Sequence, residues 1–334
     1  MPVSLIEASR NAVTDYDPFV IDEFRKESVI ADTMIFDDVV NPAGGGGVLT
    51  YGYRRQVTQP TAAFRPLNTE YVPSEVQTIT VSSNLAVLGG TFAVDRVVAK
   101  IGPAASGSVA LNMRQKAKAA VTKFQDAVIN GDVATDAAGF DGLDKALVGS
   151  TTEFRAGQVT DWRDWDTDAA LVHKALDDID EFLSLLDGAP TIILGNAKAL
   201  ARVRAAARRA GQYVKDPVDG LVGQDGRPIT RESYGGITFA NPGAKPGTND
   251  PIIPISTRTV GGASTTGLTD LYAYRVGLDG FHGLTTMGGT LVETWLPDFT
   301  NVKAVQEGGV ELGPVGVALK ATKAAAVFRN LRVQ

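Results

Sequence analysis

Four consecutive glycines, Gly44, Gly45, Gly46 and Gly47, are the first residues whose type and spacing suggest chemistry, because glycine-rich loops offer backbone N–H groups to phosphate. A phosphate loop also needs Gly-Lys-Ser/Thr close behind, and here Val48, Leu49 and Thr50 follow. The run therefore reads as a hinge, where glycine reaches backbone regions closed to other residues. The acidic stretch DWRDWDTD, 161–168, suggests calcium. Asp164, Asp166 and Asp168 match the first three positions of an EF-hand loop, but Ala169 stands at its required glycine and Ala175 at its bidentate glutamate. The run fits better as a helix entry, where acids complement the N-terminal dipole. The two histidines, His173 and His282, are far apart and no HExxH pairs them. Cysteine is absent, which excludes disulfides and thiolate metal sites. Neither a G-x-S-x-G elbow nor S-x-x-K occurs. No catalytic, cofactor-binding or metal site is expected, and the chain does not read as an enzyme.

One cluster of charge remains. Arg202, Arg204, Arg208 and Arg209 form a candidate basic patch on a single helix. It would suit a phosphate backbone or a neighbouring subunit's acids, although a solvated helix face explains it more simply. The net charge of −6 argues against a sequence-specific DNA reader, which usually carries a basic excess.

The elements that must carry these residues follow from composition and period. With 334 residues, 44% hydrophobic and 21% charged, the chain has ordinary globular composition and a sizeable core. The start, MPVSLIEASRNAVTDYDPF, has no basic-then-apolar pattern, so neither a signal peptide nor a membrane anchor is expected. Residues 1–43 read as an arm. From Val48 to Val98 the chain has strand chemistry, in VLTYGYRRQV and VQTITVSSNLAVL. The stretch between them carries Pro60, Pro66 and Pro73, which break a regular ladder. A long two-stranded hairpin with an irregular tip results, and such a hairpin is not stable alone. A helix is expected over 108–130, with Ser108 as N-cap, Met113, Ala117, Ala120, Val121, Phe124 and Val128 on one face, and Gly131 as its stop. Further helices are expected over 167–187, capped by Asp166 or Thr167, and over 197–210, with TIIL, 191–194, as a buried strand between them. Residues 211–236 read as loop. GGITFA, TDLYAYRV, TLVETW and the closing AAAVFRNLRV read as strands.

The order of these segments resembles the major capsid proteins of tailed bacteriophages, the Hong Kong 97-type fold. FDGLDKAL after the long helix resembles the family's Gly-Leu segment. ALVHKALDDIDEFLSLLDGAPTIILGNAKALARVR resembles its helix–strand–helix with Asn at the strand end. TDLYAYRVGLDGFHG resembles its strand leading to a Gly-rich turn, and AAAVFRNL its closing strand. No single motif is specific; the weight lies in their order across nearly the whole chain.

The resemblance implies an α+β fold with an N-terminal arm (1–43), an extended β-hairpin loop (44–98), a peripheral domain with a long spine helix (99–155 and 285–322) and an α/β axial domain (156–284 and 323–334). It implies a subunit that assembles with itself into hexamers and pentamers of an icosahedral head, with Arg54, Arg55, Arg65 and Tyr71 of the loop at intersubunit contacts. Further expected partners are a portal, a decoration protein as a candidate, and packaged double-stranded DNA held without specific recognition; no membrane is expected. Only about 43 residues precede the hinge, too few for a fused scaffold, so a separate scaffolding protein is expected. Assembly would occur in the host bacterial cytoplasm and the product would be the virion capsid. Some relatives weld subunits through a loop lysine, but no lysine lies between Lys26 and Lys100 here. Arginine stays protonated and cannot attack an amide, so a non-covalent shell is expected. Two alternatives stand: an encapsulin-like bacterial compartment, which resembles the same fold and encloses cargo enzymes, and an enzyme or small-ligand binder, disfavoured by the missing motifs.

Overall fold

Strands with period-two burial and one long helix dominate the computed structural model, which describes residues 29–37, 49–100, 103–163, 173–210, 214–222, 228–234, 236–286, 292–300 and 303–334. The expected hinge of Gly44, Gly45, Gly46 and Gly47 lies outside the described residues, as do the acids at 164–168, Asp166 and Thr167 as helix caps included.

The long helix spans Pro103–Asn130, about 42 Å at 1.5 Å per residue. It begins five residues before Ser108, so Ser108 is not its N-cap. Pro103 suits the first helical position because its missing N–H would have had no partner there. Burial is concentrated in the second half, where Ala120, Phe124, Val128 and Ile129 are in the core. The helix stops at Gly131 for a reason of space. A Cβ there would lie 2.3 Å from the Phe140 carbonyl oxygen, and the Gly142 N–H donates to the Gly131 carbonyl at 2.9 Å. The returning chain then forms the short helix Leu143–Leu147.

One sheet packs against this helix. Its longest strand, Val305–Leu319, pairs along one edge with Ala86–Asp95. Its other edge holds Val292–Trp295 and Phe281–Thr285. The register slips between Leu312 and Val315, where Pro314 cannot donate to the ladder and an extra residue is accommodated as a bulge. Phe36–Asp37 adds in parallel beside Phe281–Thr285, and the neighbouring segment is tied to the long helix by Ile30 N–H donating to Gln125 Oε1 at 3.0 Å.

The second sheet runs in the order Glu153–Phe154, Ala325–Arg332, Ala263–Tyr274, Ile192–Gly195, Ile237–Ala240, Pro228–Tyr234, Val214–Val222. Alternation splits its residues between two cores. Ile192, Leu194, Tyr272 and Tyr274 join Phe124 and Val128 of the long helix. Ile193, Leu271 and Ala273 face the helices Lys174–Leu183 and Ala197–Arg209 through Leu176, Ile179, Phe182, Leu200 and Val203. The stretch 211–236 therefore departs from its reading as loop: Val214–Val222 and Pro228–Tyr234 pair antiparallel, with Val214 opposite Ser233.

Candidate functional site

The hairpin pairs Thr50–Thr58 with Gln77–Asn84, with Tyr51 opposite Ser83, Tyr53 opposite Val81 and Arg55 opposite Ile79. The paired part is shorter than the sequence suggests, about 30 Å for nine residues, because Ala86 onward leaves it to join the first sheet. Strand alternation places Tyr51, Tyr53 and Arg55 on one face, and that face meets the body of the same chain. The Tyr53 hydroxyl donates to the Leu319 carbonyl at 2.7 Å. Arg55 Nε donates to the Lys320 carbonyl at 2.9 Å, and a second guanidinium nitrogen reaches the Leu319 carbonyl. The Lys320 ammonium lies 5.4 Å from the Tyr51 ring centroid. Burial raises the Tyr53 phenol above its ordinary range even though Arg55 pulls it down. Arg55 thus anchors the root of the hairpin on its own chain.

Every residue from 56 to 80 is exposed. Phe64 is fully exposed, Leu67 90% and Val72 88%. The tip is nevertheless ordered by its own contacts: Arg65 stacks 5.2 Å over Tyr71 and donates to the Thr69 carbonyl at 2.8 Å, and the Thr61 N–H donates to Ser74 Oγ at 3.0 Å. Arg65 and Tyr71 are brought together there, while Arg54 stands exposed on the outer face of the strand. Gly44, Gly45, Gly46 and Gly47, expected as the hinge of this loop, precede the first described residue of the hairpin segment, Leu49.

No family's sequence model and no curated protein matches the chain. Solved structures do match it along its whole length. A chain of the holo-SrpI encapsulin complex from Synechococcus elongatus PCC 7942 has a TM-score of 0.55 and 15% identity, covering 100% of this chain and 98% of that one. The capsid of a native GTA particle gives 0.56 and 12%, covering 97% and 96%. Mycobacterium phage Adephagia gives 0.55 and 14%, covering 100% and 99%. The chain has the Hong Kong 97-type capsid fold.

Within this capsid fold the basic helix places its charges in the ordinary way. Asn196 caps it, its side chain accepting from the Lys198 N–H at 3.0 Å and donating to the Ile253 carbonyl at 2.7 Å. Arg208 and Arg209 are exposed in its last turn, where cations complement the C-terminal dipole. Arg202 and Arg204 are half-buried. Asp161 of the acidic run is paired with Arg163 at 2.8 Å and Arg332 at 3.5 Å. His173 is exposed and His282 buried, and among the described residues no group of three His, Cys, Asp or Glu could hold a metal. Nor is any described helix long and apolar enough to cross a membrane.

Two buried polar clusters escaped sequence reasoning. One surrounds Arg329, which donates to Glu153 at 2.9 Å, to Asp270 at 3.3 Å and to Asp144. The other is His282 beneath the hairpin root, with its ring edge-on to Tyr51 at 6.2 Å. Among the described residues neither His282 nitrogen has a hydrogen-bond partner; Asp37 Oδ2 stands 3.8 Å away, and Lys320 lies against Asp37 and Tyr51. Burial first, then the Lys320 charge, push the imidazole below its usual value, while Asp37 pulls it back. A histidine depressed in the folded state binds its proton more readily when unfolded. Stability from this group is therefore complete above the unfolded value of about 6.5 and declines as pH falls. The parent chain should lose denaturant midpoint between about pH 7.5 and about pH 5 more steeply than His282→Leu. Parallel pH profiles for the two would refute this reading.

Proposed function

We propose that the chain is a shell subunit, the major capsid protein of a tailed double-stranded DNA bacteriophage, forming hexamers and pentamers of an icosahedral head. The observation that carries it is the uninterrupted exposure of residues 56–80, apolar side chains included, on a hairpin fastened to its own body only at the root. Exposed apolar groups at that density mark an interaction surface, and the capsid fold supplies the kind of partner: another copy. Electron microscopy of the purified protein tests it, closed shells being expected. Soluble monomers under all assembly conditions would count against it.

On this reading 1–43 is the arm, 44–98 the extended loop, 99–155 and 285–322 the peripheral domain, and 156–284 with 323–334 the axial domain. Arg54, Arg55, Arg65 and Tyr71 meet neighbouring subunits, and Gly44, Gly45, Gly46 and Gly47 form the hinge. Scaffolding, portal and decoration proteins would be separate chains. The DNA inside would be held weakly and without sequence preference, given the net charge of −6. A second reading, an encapsulin-like compartment, is favoured by the likeness to the Synechococcus shell. The contents of purified particles decide between them: DNA for the first, cargo protein for the second.

The shell is non-covalent in either case. With no lysine between Lys26 and Lys100 and no cysteine anywhere, the loop has neither an amine nor a thiol to form a cross-link. Boiled particles should give one band near 35.1 kDa on a denaturing gel. A ladder surviving heat and denaturant would overturn this.

A further inference from the structure

His282 is fully buried in strand Phe281–Thr285, and a neutral imidazole always carries one N–H that needs an acceptor. A buried donor left unpaired asks for a reason. Three separate stretches of the chain meet at this ring. Phe36–Asp37 brings the Asp37 carboxylate, 3.8 Å from Nε2. The turn after Val305–Leu319 brings the Lys320 ammonium, 3.9 Å from the same carboxylate oxygen. The hairpin root brings Tyr51, whose ring stands edge-on to the imidazole and lies 5.4 Å from the Lys320 ammonium. The other charged neighbours are engaged elsewhere. Arg55 is turned to the main chain of Leu319 and Lys320, Asp279 is paired with Arg275, and the strand opposite His282 offers only Ala318. The Gly277 and Gly280 carbonyls favour the protonated ring.

We propose that His282 is an acid-operated release for the hairpin: its protonated ring takes Asp37 from Lys320, and the Lys320 side chain withdraws from Tyr51 into solvent. Nε2 and the ammonium compete for one oxygen, Asp37 Oδ2. Lys320 yields because its stem is flexible and already 27% exposed, whereas His282 is fixed in a paired strand. With no ammonium between Asp37 and Tyr51, the inner face of the hairpin loses its charged clasp. The bonds from Tyr53 and Arg55 go to main-chain carbonyls and remain as a pivot. Direction follows from linkage. The closed site holds the imidazole below its usual value, and a released, wetter site returns it toward about 6.5. Protons therefore favour release: the hairpin is held above about pH 6.5 and freed below the closed site's value. The device belongs to the single chain and holds for either kind of shell.

The chain has two histidines and no cysteine, so both halves of the device can be read without background. Carbon-13-labelled histidine reports the two rings by NMR, with the exposed His173 as reference. Spin labels on Leu67→Cys at the tip and Val148→Cys on the body, both exposed positions, report where the hairpin stands by electron–electron double resonance. The full chain is kept below the concentration at which it assembles. It should show one narrow distance at about pH 8 and a broader, displaced one at about pH 5, the change tracking the His282 signal and not that of His173. His282→Leu should keep the narrow distance under both conditions. Lys320→Gln, on the surface, should show the displaced distance already at about pH 8. A hairpin that stays put while His282 titrates would overturn the proposal, as would a His282 ring that does not titrate in this range. So would a pH response that survives in His282→Leu, or a narrow distance kept by Lys320→Gln.

Discussion

A chain lacking residues 58–74 should fold normally, remain soluble and form no shells. Every residue from 56 to 80 is exposed and none of the deleted ones belongs to either core, so removal leaves the described cores intact. The anchor formed by Tyr53 and Arg55 on Leu319 and Lys320 stays, as do the cross-strand pairs from Thr50–Asn84 to Gln56–Thr78. Val57 would join Glu75, leaving a loop short enough for an ordinary hairpin connection. What disappears is Phe64, Leu67, Tyr71 and Val72. Burying such side chains is worth about 1.5–3 kcal/mol each, so each lost tip contact forfeits several kcal/mol, repeated at every subunit of a shell. Circular dichroism and size-exclusion chromatography should report a folded monomer, and electron microscopy an empty field. Particles of normal shape would sink the strut idea; an unfolded product would show that the tip also supports its own chain.

The legible parts of this fold were those where one element's own residues set its structure. The stripe of Ala120, Phe124 and Val128 carried the long helix, although its start was hidden. Gly107 and Ser108 look like an entry, yet the helix runs through them because Pro103 has already begun it. Period two revealed both hairpin strands, but not the break after Asn84, since 77–84 and 86–95 have the same strand chemistry and only pairing with Val305–Leu319 separates them. That longest strand was itself illegible. Gly308, Gly309, Gly313, Pro314 and Gly316 are residue types more usual in turns, and strands on both edges supply the order that its own residues do not. The stretch 211–236 failed in the same way. At the candidate site the tip residues could be named because they are unburied and apolar. The anchoring by Arg55 was not legible because nothing local shows that the carbonyls of Leu319 and Lys320 await its fork. Tyr51-x-Tyr53-x-Arg55 was the available signal, three large amphipathic side chains on one strand face.

Arg329→Leu should be the most damaging single substitution in the described core. Arg329 is 11% exposed and reaches Glu153, Asp270 and Asp144, which are 13%, 5% and 41% exposed. Arg258 holds the other Asp270 oxygen at 2.7 Å, and the Asn330 N–H donates to the same atom at 2.9 Å, with Asn330 held at φ 57. The Tyr272 hydroxyl donates to Asp144 at 2.7 Å. Burial and the two nearby carboxylates, Asp270 and Asp144, raise the Tyr272 phenol well above its ordinary range, so it stays a donor. The network bolts Leu143–Leu147, which follows the long helix, to strands Ala263–Tyr274 and Ala325–Arg332 of the second sheet. Removing the cation leaves three carboxylates with one arginine. Breaking a buried pair from one side costs about 3–5 kcal/mol, and in a chain of this length that lowers the melting midpoint by roughly 4–7 °C. Arg329→Lys keeps the charge but not the fork, so an intermediate loss is expected. The measurement belongs in the 58–74 deletion background, where assembly adds nothing to apparent stability. A midpoint for Arg329→Leu within a degree or two of its parent would mean that the joint is held by the surrounding apolar contacts alone.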